Sequence, residues 1–360
     1  MRRRLVAPVE FQPHRFIHGS ILTALRSLKR GSVRIVVTSP PYYGLRAYGT
    51  VPEIWGGREG CVHQWTCYLQ GKRQRWGDTS TLSKKQASNR GSLSNVAALE
   101  RDGGRYCFNC NAWEGELGQE ACVKDYVNHL VGGLEEVRSV LSEDGTMFLN
   151  LGDNHCFGAE GDCKPKDLFG VPWSVAFELR RRGWYLRNAI VWEKPNTMPR
   201  SIEDCFTPSY EMVFMLSKSS RYYFDFEAVM EPVAADTNAR YARAEMRQVS
   251  SSSVKRKNDP IITLSRRKPA DKRRKRDVWH INTKGYRKNG IHYATFPEAL
   301  VEPCILAGSE PGDVVLDCFA GICTTAAVAA RLGRRSVSLD LNEDFLKLGR
   351  ERVREVLSER

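Results

Sequence analysis

Three groups of residues in this sequence have types and spacings suited to chemistry. The first is Thr38-Ser39-Pro40-Pro41-Tyr42-Tyr43, directly after the apolar run "RIVV". Proline fixes φ and removes a donor. The corner therefore presents a serine hydroxyl, rigidly held carbonyls and aromatic faces, where a turn is ordinarily rich in Gly or Asn. The second is "GDVVLDCFAGICTTAAVAARLGRRSVSLDLN", residues 312–342, which reads as a β-α-β unit with Asp317 and Asp340 at its strand ends. An acidic residue about twenty positions on is where nucleotide-type folds hold ribose hydroxyls. Phe319-Ala320-Gly321 lets backbone approach a ligand, and Thr324 and Thr325 are placed to cap the next helix. The missing G-x-G-x-x-G argues against a pyrophosphate cradle. The third group is Cys61, His63, Cys107 and Cys110, a donor set for a tetrahedral structural zinc, with Cys67 and Cys122 as nearby substitutes. Unrelated reduced thiols are the alternative reading.

These residues need elements to hold them. Leucine and isoleucine spacing predicts a helix over 19–31, followed by a buried strand over 32–38 that ends at the Pro-Pro corner. Helices are expected over 124–145 and 172–184, and strands over 146–153 and 185–195. "YEMVFMLSKSSRYYFD" reads as two short strands around a polar turn. Regular structure is expected to resume at 296–308 as a helix, then strand, helix, strand, and a closing helix over 343–357. This alternation points to a doubly wound α/β sheet.

Two stretches break the pattern. Residues 56–110 are polar and Gly/Ser-rich and read as an insertion. Residues 232–290 contain a basic run, Lys255 to Arg276, with eleven Lys/Arg against two Asp. It includes Lys255, Arg256, Lys257, Arg266, Arg267, Arg273 and Arg274, whose functional reading is contact with phosphates. A solvated tail, or a nuclear-import signal in a eukaryotic host, is the alternative. The formal charge of +13 over 360 residues favours a polyanionic partner, nucleic acid first. No run of eighteen apolar residues indicates a membrane span, and the basic start lacks the apolar core of a signal peptide. Eleven irregularly spaced cysteines read as thiols and metal ligands rather than a disulfide framework.

Taken together, "TSPPY" early and "D-x-F-x-G-x-x-T-T" late resemble the amino-DNA methyltransferases that use S-adenosylmethionine. The order, catalytic motif first and cofactor motif last, is similar to that of their circularly permuted β group. Asp317, Phe319, Gly321, Thr324 and Thr325 match the family's Asp-Pro-Phe-x-Gly-Ser-Gly-Thr-Thr, whereas Cys318, Ile322 and Cys323 stand in place of Pro, Ser and Gly. The added Cβ at Cys323 is expected where backbone passes close to the ligand. "WEKPN" and "YEMVFMLSKS" resemble the family's central strands, and "NAWEGELG" after Cys110 resembles a segment that follows its Cys/His pattern.

The resemblance implies a Rossmann-like methyltransferase sheet, circularly permuted, with a polar insertion and a basic target-recognition segment. Its parts would be residues 1–55 (catalytic motif), 56–122 (insertion with the zinc staple), 123–231 (central part), 232–290 (target recognition) and 291–360 (cofactor part). Ser39 and the Pro40 carbonyl would accept the two N–H bonds of an exocyclic amine and aim its lone pair, and Tyr42 would stack the flipped base. Asp317, Phe319, Gly321, Thr324, Asp340, Phe296 and Pro297 would hold S-adenosylmethionine. Serine at 39 favours cytosine N4 over adenine N6. The rivals are an RNA or protein-amide methyltransferase and a DNA-binding relic. Double-stranded DNA is the expected partner, with a cognate restriction enzyme as a second and no membrane. The expected location is the cytoplasm in a prokaryotic or viral setting and the nucleus in a eukaryote.

Overall fold

The Val- and Ile-rich runs meet in one eight-stranded sheet in the structure, a computed structural model describing residues 13–45, 47–66, 104–156, 163–198, 203–233, 271–288, 291–293 and 295–359. In chain order its strands are β1 (His14–His18), β2 (Val33–Thr38), β3 (Leu141–Leu151), β4 (Tyr185–Glu193), β5 (Tyr210–Ser217), β6 (Val278–His280), β7 (Val314–Asp317) and β8 (Arg335–Asp340). They lie side by side as β1-β8-β7-β2-β3-β5-β4-β6. β5 runs antiparallel to β3 and β4, and every other pairing is parallel.

Helices α1 (Val123–Val140), α2 (Val171–Arg181), α3 (Glu298–Gly308), α4 (Thr324–Arg331) and α5 (Glu343–Ser358) join these strands. β7 leads through α4 to β8 on one side, and β2 leads through α1 to β3 on the other. The direction of travel thus reverses between β7 and β2, and in a doubly wound sheet ligands bind at the carboxyl ends of the strands at such a point. Right-handed crossovers running in opposite directions put their helices on opposite faces. α1 packs with α2, and α4 packs between α3 and α5. Leu130, Leu134 and Val137 of α1 and Val175 and Leu179 of α2 bury against Val36, Leu149 and Phe214. On α4, Ala326, Ala327 and Ala330 are small enough to bring Leu346 and Val353 of α5 close.

Four expectations need correction. The spacing in 19–31 produces turns and a short 3-10 helix, Ala24–Ser27, because the Ser20 carbonyl collects the N–H groups of Thr23 and Ala24 and Leu28 turns extended. Ile21, Leu25 and Leu28 still reach the core. The helix expected to reach residue 145 ends at Val140, and Leu141 opens β3. Only the first of the two strands expected in 210–225 forms. Tyr222 instead accepts from Arg187 Nε at 2.9 Å, and the Tyr223 N–H goes to the Asp144 carbonyl. Regular structure also resumes before residue 296, since Val278–His280 extends the main sheet as β6 beside β4.

The polar stretch does not remain structureless among its described residues. Glu53–Trp55, Trp113–Gly115 and Arg105–Tyr106 pair as a three-stranded antiparallel sheet with Trp55 and Trp113 buried. Residues 224–276 form a separate, smaller unit in which Glu231–Pro232 pairs with Lys272–Arg273.

Candidate active site

β2 and β7 are parallel neighbours, so the two motifs at their ends meet. Thr38 donates from Oγ1 to Asp317 Oδ1 at 2.7 Å, and Thr325 donates from Oγ1 to Asp317 Oδ2 at 2.7 Å. The Phe319 N–H adds a third bond at 3.2 Å. Asp317 thus ties β2, β7 and α4 together with both oxygens engaged. Burial pushes its carboxyl up to about 6 despite those three donors. The residue expected to hold a ligand directly therefore holds the turn from behind.

Asp340 lies at the end of β8, where its carboxylate accepts from the Gly321 N–H at 2.7 Å and the Asn342 N–H at 2.8 Å. Burial raises its pKa as well. Gly321 has φ +49, and a Cβ built there meets nothing within 4 Å, so the turn opens onto free space. Phe319 is half-buried beside it, and Phe296 and Pro297 lead into α3, with Pro297 as its N-cap. Thr324 is buried, and its hydroxyl accepts from Arg352 Nη1 at 2.9 Å, which places it behind the turn. The helix is capped without either threonine side chain, because Cys323 occupies the N-cap. Cys323 is fully buried at φ +58. A Cβ on Gly349 of α5 would lie 2.3 Å from its sulfur, so the thiol points into the α4–α5 contact. The extra atoms at 323 do not face the open side.

The Pro-Pro corner is anchored from several sides. Tyr126 on α1 donates to the Pro41 carbonyl at 2.8 Å, whereas no donor reaches the Pro40 carbonyl among the described residues. The Gly44 N–H bonds the Gly118 carbonyl at 2.8 Å. Gly118 in turn donates to Glu120 Oε2 at 2.8 Å, and Glu120 Oε1 lies 3.2 Å from His129 Nδ1. Tyr43 is buried against Tyr126 and Phe169. Tyr42 is half-buried, with its ring over Gly152, where a Cβ would stand 2.6 Å from the ring edge. Ser39 Oγ donates to Tyr42 Oη at 3.2 Å, and Tyr42 Oη donates to Glu211 Oε2 at 2.6 Å. Asn150 Nδ2 donates to the same oxygen at 3.0 Å, and Lys194 pairs with Glu211 Oε1. Burial, with Glu211 adjacent, holds the Tyr42 phenol well above its ordinary pKa.

The residues expected at the two turns are therefore one cluster at the carboxyl edge of the sheet. Asn150, Lys194 and Glu211 are participants that the sequence reasoning missed, and the bond from Thr38 to Asp317 is a role it did not give to the first residue of the motif. "WEKPN" and "YEMVFM" carried the signal for Lys194 and Glu211, a charged residue beside each apolar run.

The expected metal ligands also converge. The donor atoms of Cys61, His63, Cys107 and Cys110 lie within 4.8 Å of one another. Cys61 and Cys107 sulfurs are 4.0 Å apart, and Cys110 Sγ is 3.5 Å from His63 Nδ1. Zinc bonds of about 2.0–2.3 Å to N and S give tetrahedral edges of roughly this length. Burial works against the Cys107 thiolate, but His63 and the backbone N–H groups of Gln64, Asn109 and Cys110 lower it to about 6. Of the basic residues, Arg273 pairs with Glu231 at 2.9 Å and Arg274 lies over the Phe226 ring. Lys255, Arg256, Lys257, Arg266 and Arg267 lie outside the described residues.

The N6/N4 DNA methylase family model matches residues 33–351, which includes both turns. The chain belongs to this family. As an N6/N4 DNA methylase it is 31% identical over 367 residues to the type II methyltransferase M.Cfr9I of Citrobacter freundii, covering 96% of this chain and 89% of that one. It is 38% identical over 261 residues to the type II methyltransferase M.SmaI of Serratia marcescens, covering 66% of this chain and 77% of that one. Its fold is similar to the solved PvuII DNA methyltransferase (cytosine-N4-specific), with a TM-score of 0.54 at 16% identity over 96% of this chain and 91% of that one. The N6/N4 methylase resemblance read from the two motifs thus holds. Among the described residues no helix is long and apolar enough to cross a membrane.

Proposed function

We propose that this methylase modifies the exocyclic N4 of a flipped cytosine within a specific duplex site, with S-adenosylmethionine as methyl donor. The observation that supports the reading is the Thr38–Asp317 bond, which ties the residue before Ser39 to the strand end that opens the Gly321 turn. Phe319, Gly321, Asp340 and Phe296 would hold the cofactor, backed by Asp317, Thr324 and Pro297. When bound, it supplies an electrophilic methyl group. Ser39 and the Pro40 carbonyl accept the amine's two N–H bonds, drawing the lone pair out of ring conjugation, and Tyr42 flanks the base. Serine at 39 supports cytosine over adenine. The order of motifs supports membership of the permuted β group.

The type II relatives support a role as the modification half of a restriction–modification pair, acting on DNA in the cytoplasm. The basic segment would add affinity through phosphates rather than sequence information. Cys61, His63, Cys107 and Cys110 would bind a structural zinc, since four protein ligands leave no open position.

Purified protein incubated with S-adenosylmethionine and unmodified duplex DNA tests the reading by nucleoside mass spectrometry. N4-methylcytosine is the expected product. N6-methyladenine would overturn the cytosine assignment, and methylation confined to RNA or protein would overturn the acceptor class.

A further inference from the structure

The chain Ser39–Tyr42–Glu211–Lys194 has a direction. A carboxylate only accepts hydrogen bonds, whereas a phenol or a serine hydroxyl has one proton to give. Glu211 sits at the N-terminal end of β5, where it pairs with Lys194 through Oε1 and receives Asn150 Nδ2 at 3.0 Å through Oε2. Tyr42 Oη lies 2.6 Å from Oε2 and 3.0 Å from Asn150 Oδ1. The shorter, charge-assisted bond takes the phenol proton. Burial that keeps the phenol neutral keeps that proton in place. With its proton committed to Glu211, Tyr42 can only accept from Ser39, 3.2 Å away. Ser39 then spends its own proton on Tyr42, and its remaining lone pair is what it offers to a base.

We infer that Glu211 acts as a specificity-determining positioning residue: through Tyr42 it fixes Ser39 as an acceptor, so the site takes a base bearing an amino group and rejects one bearing a carbonyl at the same position. Cytosine and uracil differ at that position by donor against acceptor, and adenine and hypoxanthine differ in the same way. Lys194 makes the arrangement one-directional. It requires an acceptor at its own side of residue 211, so a Gln side chain there would turn its NH₂ toward Tyr42. Tyr42 would then accept from Gln, and its released proton would be shared between Asn150 Oδ1 at 3.0 Å and Ser39 Oγ at 3.2 Å, so Ser39 is no longer held solely as an acceptor. The inference rests on Ser39 facing the reacting amine, as in the proposed function.

The test uses the full chain and duplexes carrying the site that the wild-type enzyme methylates. The readout is a ratio, the Kd for the duplex with uracil at the target position divided by that with cytosine. Ease of flipping a mismatched base affects all variants equally and cancels when ratios are compared. Glu211→Gln is expected to lower the ratio by about tenfold, the scale of one misdirected hydrogen bond. It should lower kcat by about 100-fold with KM for DNA little changed. Tyr42→Phe, which frees the Ser39 hydroxyl to rotate, should lower the ratio by roughly threefold. In that background Glu211→Gln should change it by less than about twofold, because the link is gone. A ratio unaltered in folded Glu211→Gln, or altered equally with and without Tyr42, overturns the inference. If Glu211→Gln fails to fold, an unaltered ratio in Tyr42→Phe overturns it alone. The base assignment is judged separately from the wild-type product. Should that be N6-methyladenine, the same ratio is read with hypoxanthine against adenine.

Discussion

Asp317 carries a carboxyl with 1% of its surface exposed, and ionising it there works against desolvation. Its pKa is pushed up to about 6, against about 4 in an unfolded chain. A folded state that holds the proton more tightly is stabilised fully below about pH 4 and loses that stabilisation as pH rises through 6. The difference of two units corresponds to about 3 kcal/mol. Asn at 317 is neutral throughout, so the melting temperature of Asp317→Asn relative to wild type should climb between pH 4 and 7. It starts from a constant deficit, because an amide N–H₂ cannot accept from one of the two threonines. A pH-independent difference would show that Asp317 ionises without strain. At this scale the sequence was readable where the chemistry is local. Ser39, Pro40, Asp317 and Asp340 announce themselves in short motifs. Glu211 meets Tyr42 across 169 positions, and only the pairing of β3, β5 and β4 brings Asn150, Glu211 and Lys194 together.

Among elements, α4 and α5 show a complementary pair. Cys323 fills the space that Gly349 leaves, and neither side could carry extra atoms alone. Gly349→Ala should destabilise by about 1–3 kcal/mol through overpacking. Cys323→Gly removes the left-handed strain at φ +58 but opens a cavity, so its net effect is small. In the double variant the alanine enters vacated space, its next contact being the Ile322 carbonyl carbon at 3.4 Å, and helix propensity favours it by about 1 kcal/mol. Denaturant melts of the four proteins should give strongly non-additive stabilities. Additive values would place the thiol elsewhere. The helices and central strands were legible because their apolar spacing is regular. The helix expected over 19–31 failed because the same spacing also suits a chain of turns that buries Ile21, Leu25 and Leu28. β6 was hidden inside a basic stretch, since three residues carry too little pattern to stand out.

For the molecule as a whole, the Cys/His cluster matters beyond its own loop. The small sheet whose strands flank it leads to Gly118, whose carbonyl holds Gly44 at the end of the Pro-Pro corner. Elemental analysis should find one zinc per chain, and Cys107→Ser should remove it. The melting temperature should fall by roughly 5 °C or more, and methylation should weaken with it. Protein that purifies without zinc and melts identically after Cys107→Ser would rule out the staple. Sequence spacing singled out these four donors despite their distance apart, and the fold brings their donor atoms within 4.8 Å of one another.

The sheet order also governs how the protein comes into being. Among the described residues β1 has β8 as its only partner in the sheet, and β2 waits for β7 on one side. A ribosome therefore exposes β1 and one side of β2 for as long as it takes to translate some three hundred further codons. The sheet closes late, when residues 314–340 emerge and slot between strands made long before. Until then β1 and β2 lack the strands that later lie between them, and their unpaired edges are ones that a chaperone would be well placed to shield.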